Sequence, residues 1–253
     1  MRAKHRIRFL VRSYETDLQG RLQAPILCKW LEEAAVGHAR ILGVAVETLF
    51  EHGVAWVLSR LHLMVDRWPA GGEEIVVETW PEAASRLYTE RRFEVFDASE
   101  NRIGAASTLW LVLDLVRRRP IRLPPFVLEK LAEVEIGTEP MRCDDLAPLK
   151  TAEIQRTYTV RRSDLDLAEH VNNTSYVEWA VEAVPDEVWG THDLAQLEIQ
   201  YLSECHHGQT ILSRSQLVDL DTGLEVSHQL VRKEDDTEVA RAVTRWRGRS
   251  DSR

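Results

Sequence analysis

Four side chains in the second half of the chain have the chemistry of acids, bases and nucleophiles. Asp166 and His170 are four residues apart, and Glu204 stands next to Cys205. A carboxylate or an imidazole can take a proton from water, and a thiolate can attack an electrophilic carbon directly. These residue types therefore predict a reactive site in the second half of the chain.

An internal duplication indicates that these groups are specific to that half. Residues 11–18 align with residues 160–167 at an offset of 149, and Trp110 aligns with Trp246 at an offset of 136. At the positions of His170, Glu204 and Cys205, the first copy has Arg21, Trp68 and Pro69. Residues needed only for folding should recur in both copies, so we place the reactive site in the second copy and expect a binding or structural role for the first.

Each copy has the pattern of one strand, one helix and four more strands. Alternating Ile7, Phe9 and Val11 predict a strand, and apolar residues at helical spacing predict a helix over about residues 25–42. In the second copy, Asn173 is the expected N-cap, and Pro185 is expected to end the helix. The later strands are predicted at about 56–66, 74–80, 88–96 and 104–114, and at about 196–205, 210–220, 225–233 and 238–247.

This pattern predicts an α+β fold in which one helix packs on an antiparallel sheet in each copy. We expect an N-terminal domain at residues 1–128 and a C-terminal domain at residues 154–253. The segment 129–153 is mixed in charge and contains Pro140 and Pro148, which is typical of a linker. Two fused copies can pair as a pseudo-dimer within one chain, so further association stays open.

Composition excludes several classes of protein. The 253 residues include 32 Lys and Arg against 41 Asp and Glu, a formal net charge of −9, which argues against nucleic-acid binding through overall charge. The chain has no run of 18 apolar residues and no apolar signal core near its start, so we expect no membrane span and a cytoplasmic location.

We expect neither a metal nor another cofactor. The three cysteines are widely spaced and form no CxxC pair, so they support neither a disulfide framework nor a zinc ribbon. The consecutive residues Cys205, His206 and His207 cannot chelate one ion together, and no second ligand pair has metal spacing.

The residues of this second-copy region resemble the acyl–acyl carrier protein thioesterases. The resemblance rests on Asp166-Leu-Ala-Glu-His170-Val-Asn-Asn173 with the downstream Glu204-Cys205, and it spans nearly the whole chain. It implies two tandem hotdog repeats, each a long helix wrapped by an antiparallel sheet. It also implies hydrolysis of fatty acyl thioesters on acyl carrier protein, with Asp166, His170, Glu204 and Cys205 at the catalytic positions.

One position departs from the family pattern. Ala168 stands where the family usually has Asn, and an alanine side chain can neither donate nor accept a hydrogen bond. Asn172 and Asn173 are the nearby candidates for contacting the substrate. The backbone amides of residues 171–174, at the start of the helix, are candidates for polarising the thioester carbonyl.

Two mechanisms and several structural roles stay open. Strand alternation places Cys205 inside and Glu204 outside, unless the strand end bulges. We favour a water mechanism, because a site without the family Asn is a poor Cys-His-Asn arrangement. Alternatively, Asp166 can bond turn amides, His170 can be structural, and Cys205 can be a buried apolar residue.

Three functions compete: an acyl carrier protein thioesterase, an acyl-coenzyme A thioesterase of the hotdog class, and a non-catalytic acyl-binding protein. Trp30 is predicted to lie in the helix core and is also a plausible wall of the acyl pocket, whose length the sequence does not fix. Acyl carrier proteins are acidic, so a basic cluster such as Arg161-Arg162 is expected to dock the carrier.

Overall fold

The computed structural model describes residues 4–132, 145–220 and 223–249, which fall into two compact units divided between residues 143 and 144. Each unit combines an antiparallel sheet with a few helices. The expected α+β class is therefore confirmed.

The first unit begins with a strand and a long helix. Among the described residues its elements are β1 His5–Leu10, α1 Ala24–Ile41, α2 Val46–Glu51, β2 Val54–Val65, β3 Glu74–Ala84, β4 Tyr88–Asp97, β5 Arg102–Asp114, β6 Arg119–Ile121 and α3 Pro125–Ala132. Its strands lie in the order β1-β3-β4-β5-β2, all neighbours antiparallel, and short β6 pairs with the end of β5.

The helix α1 packs on this sheet because its apolar residues recur on one face. Pro25 lies in its first turn, where no amide donor is needed, and Leu31 and Ala34 are fully buried against the sheet. The ring of Trp30 stacks on that of Phe9 in β1, with ring centroids 4.9 Å apart. The half-buried side of β1 therefore faces the helix, as its alternation predicts.

The second unit follows a similar plan with a shorter helix. Among its described residues the elements are β7 Ile154–Thr159, α4 Asn173–Val181, α5 Asp186–Thr191, β8 His192–Tyr201, β9 Thr210–Leu220, β10 Gly223–Arg232 and β11 Thr237–Gly248. Its strands lie in the order β8-β11-β10-β9-β7, again antiparallel. The helix α4 contacts β10 and β11, and its Trp179 stacks on Tyr158 of β7.

Two local predictions for α4 were wrong. Its N-cap is Asn172, not Asn173, because the Asn172 side-chain oxygen accepts the Thr174 amide hydrogen bond at 2.8 Å. The helix ends at Val181, before Pro185, and Pro185 instead precedes the first turn of α5.

The predicted linker at 129–153 stays a prediction. The helix α3 extends four residues into it, to Ala132, and residues 133–144 lie outside the described part of the chain. No helix among the described residues is long and apolar enough to cross a membrane.

Candidate active site

The candidate residues lie on two loops of the second unit. One loop leads from β7 into α4 and carries Asp166 and His170, and the other leads from β8 to β9 and carries Glu204 and Cys205. A backbone hydrogen bond from the Val171 amide to the Cys205 carbonyl, 2.9 Å long, joins the loops. The fold thus brings together residues that are more than 30 positions apart in sequence.

His170 and Glu204 form the central contact. Nε2 of His170 lies 3.3 Å from Oε2 of Glu204, and the two side chains are 33% and 38% exposed. The Arg232 side chain donates a 2.8 Å hydrogen bond to the Glu204 carbonyl, which fixes the backbone beneath the carboxylate. The His170–Glu204 contact is therefore partly exposed to solvent and is supported at the backbone of Glu204.

Asp166 organises the turn that carries His170. Its Oδ1 accepts hydrogen bonds from the amides of Ala168, at 2.8 Å, and His170, at 3.2 Å. In the first unit, Oδ1 of Asp17 accepts from the Gln19 and Arg21 amides in the same way, both at 2.9 Å. The contacts of Asp166 are therefore those of a turn-forming side chain, which was one of the two roles that the sequence left open.

Glu204 and Cys205 both lie beyond the end of β8, so strand alternation does not apply to them. Cys205 is fully buried, and burial raises the pKa of its thiol above the ordinary value. A buried thiol that favours its protonated form is a poor nucleophile. The geometry favours Glu204 over Cys205 as the reactive group.

The start of α4 is largely occupied by hydrogen bonds within the fold. The Val171 amide binds Cys205, the Asn172 amide donates to the Asp164 carbonyl at 2.8 Å, and the Thr174 amide binds the Asn172 side chain. Asn173 is half-buried, and its carbonyl accepts a 3.2 Å hydrogen bond from the Tyr201 hydroxyl. Asn172 thus serves as a cap, and the expectation that all four amides of residues 171–174 face the substrate is not supported.

The turn before His170 has an unusual backbone. Ala168 is exposed on it, and Glu169 has φ +62°, in the left-handed region. At the corresponding position of the first unit, Gly20 has φ +73°, which glycine adopts without a Cβ clash. A side chain other than glycine therefore strains this loop of the second unit.

Two other predicted binding residues have structural contacts. Trp30 is buried against Phe9, as its predicted core position requires. Arg161 donates through its guanidinium to Asp164 and Glu178, and these carboxylates raise its pKa. Both arginines of the predicted docking pair are exposed, and the charge of Arg161 is shared with two carboxylates of its own unit.

His206 joins this site, although the sequence argument did not place it there. Its Nε2 lies 3.9 Å from Oε1 of Glu204, and its ring centroid is 5.0 Å from that of His170. Sequence spacing relates His206 only to its neighbours, whereas the fold brings its ring close to that of His170 on the other loop.

The first unit contains a separate, mainly apolar pocket beside α1. Its walls include Ala35 and Ala39 of α1 together with Trp56 and Trp110 of the sheet. Arg91, which also lines it, is buried and donates to Nδ1 of His38 at 3.0 Å and to the Thr79 hydroxyl at 3.2 Å. Burial and this cation lower the pKa of His38 to about 4. The arrangement suits an apolar ligand segment.

Two family models match the chain. The acyl-ACP thioesterase N-terminal domain matches residues 2–131, and the acyl-ACP thioesterase C-terminal domain matches residues 148–248. Together the two matches cover both units.

Individual proteins are similar over most of the chain. A chloroplastic palmitoyl-acyl carrier protein thioesterase from Gossypium hirsutum is 28% identical over 94% of this chain and 62% of its own length. A chloroplastic dodecanoyl-[acyl-carrier-protein] hydrolase from Cinnamomum camphora is 32% identical over 94% of this chain and 66% of its own length. A solved acyl-ACP thioesterase from Bacteroides thetaiotaomicron is 27% identical, with a TM-score of 0.83 over 96% of this chain and 97% of that chain.

The chain thus spans about 62% of the length of the first of these curated relatives. Both curated relatives are named as chloroplastic, and the cytoplasmic location expected for this chain stays a prediction.

Proposed function

Because this chain belongs to the acyl-ACP thioesterase family, we propose that it hydrolyses fatty acyl thioesters carried on acyl carrier protein and releases the free fatty acid. The observation that carries the proposal is the accessible contact between His170 and Glu204, 3.3 Å from Nε2 to Oε2. This pair can take a proton from water and deliver one to a leaving thiolate, which are the two proton transfers that the reaction needs.

In the proposed mechanism the pair starts as an imidazolium beside a carboxylate. Water attacks the thioester carbonyl carbon and gives a proton to Glu204. The carbon–sulfur bond of the tetrahedral intermediate then breaks, and His170 protonates the departing thiolate. Proton transfer from Glu204 to His170 across their short contact restores the starting state.

Asp166 is a positioning residue in this account. Its Oδ1 accepts a hydrogen bond from the His170 amide and so fixes the backbone position from which the imidazole extends. The Cys205 carbonyl accepts the Val171 amide hydrogen bond, and its buried thiol lies beside the Tyr176 hydroxyl, so we assign it no attack on the substrate. These assignments make the nucleophile a water molecule.

We further propose that the two units are tandem hotdog repeats, of which the second is catalytic and the first binds the acyl chain. Paired contacts support a repeat: the Leu22 amide binds the Pro69 carbonyl just as the Val171 amide binds the Cys205 carbonyl, both at 2.9 Å. Similarly, Trp110 Nε1 donates to Thr108, and Trp246 Nε1 donates to Thr244, again both at 2.9 Å.

Different side chains at equivalent positions of the two units support placing the chemistry in the second unit. Where the second unit has His170 and Glu204, the first unit has Arg21 and Trp68, and Arg21 instead pairs with Asp17 at 3.4 Å. The apolar pocket beside α1 in the first unit suits the hydrocarbon chain of the substrate. Arg91, which is buried and hydrogen-bonded to His38 and Thr79, forms a polar part of the pocket wall, where a hydrocarbon chain gains less than against the apolar part.

The carrier-docking surface is assigned to exposed arginines. We favour the segment after β5, where Arg117, Arg118 and Arg119 are consecutive and exposed and Arg122 follows nearby. A cluster of unburied cations attracts an acidic carrier.

The experiment is hydrolysis by the purified protein of acyl carrier protein loaded with dodecanoyl or palmitoyl groups, with free thiol and free fatty acid measured together. Matching coenzyme A thioesters run in parallel. Equal release of thiol and acid from the carrier substrates supports the proposal. Faster turnover of the coenzyme A thioesters favours an acyl-coenzyme A thioesterase. Acyl binding without turnover favours a non-catalytic acyl-binding protein, a function suggested by Ala168 at the position where the family usually has Asn.

A further inference from the structure

We propose that His170, Glu204 and His206 form a binding site for a zinc ion. One ring nitrogen of each histidine and one carboxylate oxygen of Glu204 lie within 4.8 Å of one another. The Glu204 carboxylate approaches both imidazoles: Oε2 lies 3.3 Å from Nε2 of His170, and Oε1 lies 3.9 Å from Nε2 of His206. Among the described residues this is the one such group of histidine, cysteine and acidic side chains.

The ligand set matches what zinc takes in proteins. Two imidazoles and one carboxylate bind Zn²⁺ with a water in the fourth position, at bond lengths of about 2.0–2.2 Å. Tetrahedral ligands at that distance lie about 3.4 Å apart. The closer pair here already has that spacing, and the wider ones need only small side-chain movements.

Both loops that carry these ligands are held in place. The His206 amide donates to Oε1 of Gln209 at 2.8 Å, and Arg232 holds the Glu204 carbonyl. The Val171–Cys205 backbone bond fixes the distance between the loops. With side chains one third to one half exposed, an ion can enter from solvent without opening the fold.

Binding has a consequence that rests on the proposed function. The zinc ion would occupy the lone pair on Nε2 of His170 and neutralise the Glu204 carboxylate, which are the two groups that transfer protons in hydrolysis. Zinc therefore inhibits the enzyme reversibly. Mg²⁺ does not, because it prefers oxygen ligands and octahedral geometry.

The first unit serves as an internal comparison. At the positions that correspond to His170, Glu204 and His206, it has Arg21, Trp68 and Ala70. The proposal therefore predicts one zinc ion per chain, bound in the second unit.

Calorimetric titration of the chelator-treated chain with Zn²⁺ tests the binding, with Mg²⁺ as the control ion. We expect one ion per chain, and we expect His206→Ala to weaken binding at least about tenfold, the scale on which metal sites respond to altered ligands. His207→Ala is the matched control, since His207 is the exposed neighbour outside the cluster and its loss should leave affinity unchanged. Absence of zinc binding, or equal affinity in the His206 and wild-type chains, overturns the site.

Turnover separates this inference from the proposed function. Zinc inhibition of each chain is measured relative to its own metal-free rate, and the zinc concentration for half inhibition should be at least about tenfold higher for His206→Ala than for the wild type. Zinc acceleration of the wild type, or unaltered zinc inhibition of the variant, contradicts the inhibitory role. If the chain hydrolyses no thioester at all, the proposed function fails, while the calorimetric result still decides the zinc site.

Discussion

Nε2 of His170 lies 3.3 Å from Oε2 of Glu204, on loops joined by the hydrogen bond between the Val171 amide and the Cys205 carbonyl. Cys205, the residue next to Glu204, therefore joins the two loops through its backbone, and its side chain is buried. Glu204 offers the reactive side chain, whereas Cys205 has a structural role.

Glu204→Gln should lower kcat about a hundredfold or more, because an amide cannot accept the proton of the attacking water. Cys205→Ala removes only a small buried thiol and should retain most of the wild-type kcat at a modest cost in stability. Steady-state kinetics on one acyl-carrier substrate compares the two variants. A covalent acyl adduct on Cys205, detected by mass spectrometry during turnover, would contradict the assignment of water as the nucleophile.

Asp166→Ala and Asp17→Ala form a matched pair. Each change removes a carboxylate that accepts two turn amides, so each should lower the free energy of unfolding by about 1–2 kcal/mol. Because Asp166 positions His170, only its variant should also lose most of kcat. The readouts are denaturant unfolding and kcat, and a similar kcat in both variants would remove Asp166 from the mechanism.

Ala168→Asn should raise turnover of the carrier substrate. It introduces a side-chain amide at an exposed position of the turn. One added donor near a developing negative charge can lower the activation free energy by about 3 kcal/mol. Ala168→Leu, which adds bulk without a donor, is the control. A fall in turnover for the Asn variant would show that the turn is built around alanine.

Two buried histidines should make the fold sensitive to acid. Burial lowers the pKa of His228 to about 3, where it lies between the hydroxyls of Ser215 and Thr244, and the pKa of His38 is lowered to about 4. Their ordinary pKa in the unfolded chain is about 6.5, so below that pH the unfolded state binds more protons and stability falls as pH falls.

Denaturant unfolding between pH 7 and pH 4 measures this loss. His38→Gln keeps a hydrogen-bond acceptor for Arg91 and should make the free energy of unfolding fall less steeply with decreasing pH. A change at exposed His52 should leave this pH dependence unaltered. If His38→Gln leaves the pH dependence of the free energy of unfolding unchanged, His38 is not a source of the acid sensitivity.

Much of the fold follows from periodicity, and the differences have local causes. The predicted strand at 210–220 and the helix at about 25–42 agree with β9 and α1 because their apolar residues alternate or recur cleanly. The six-residue helices α2 and α5 and the three-residue β6 were not predicted, since such short segments carry too few residues for a period. The N-cap of α4 was misplaced by one residue because Asn172 and Asn173 are equally able to cap.

The sequence predicted the site only in part, because the site lies on loops that have no periodic pattern. Comparison of the copies identified His170 and Glu204, because their counterparts Arg21 and Trp68 lack the same chemistry. The outward position of Glu204 could not be derived by alternation, since β8 ends at Tyr201. The approach of His206 to Glu204 depends on the path of the connecting loop, which no periodic pattern describes.

Single-turnover hydrolysis of acyl-loaded carrier protein by the wild type and by His170→Ala, with His207→Ala as the control, tests whether His170 takes part in catalysis. We expect His170→Ala to lower the rate at least about a hundredfold with unchanged thermal stability, because the first unit folds with Arg21 at this position. The control should hydrolyse at the wild-type rate. A His170→Ala chain that folds normally and hydrolyses at near wild-type rate would contradict a catalytic role for His170.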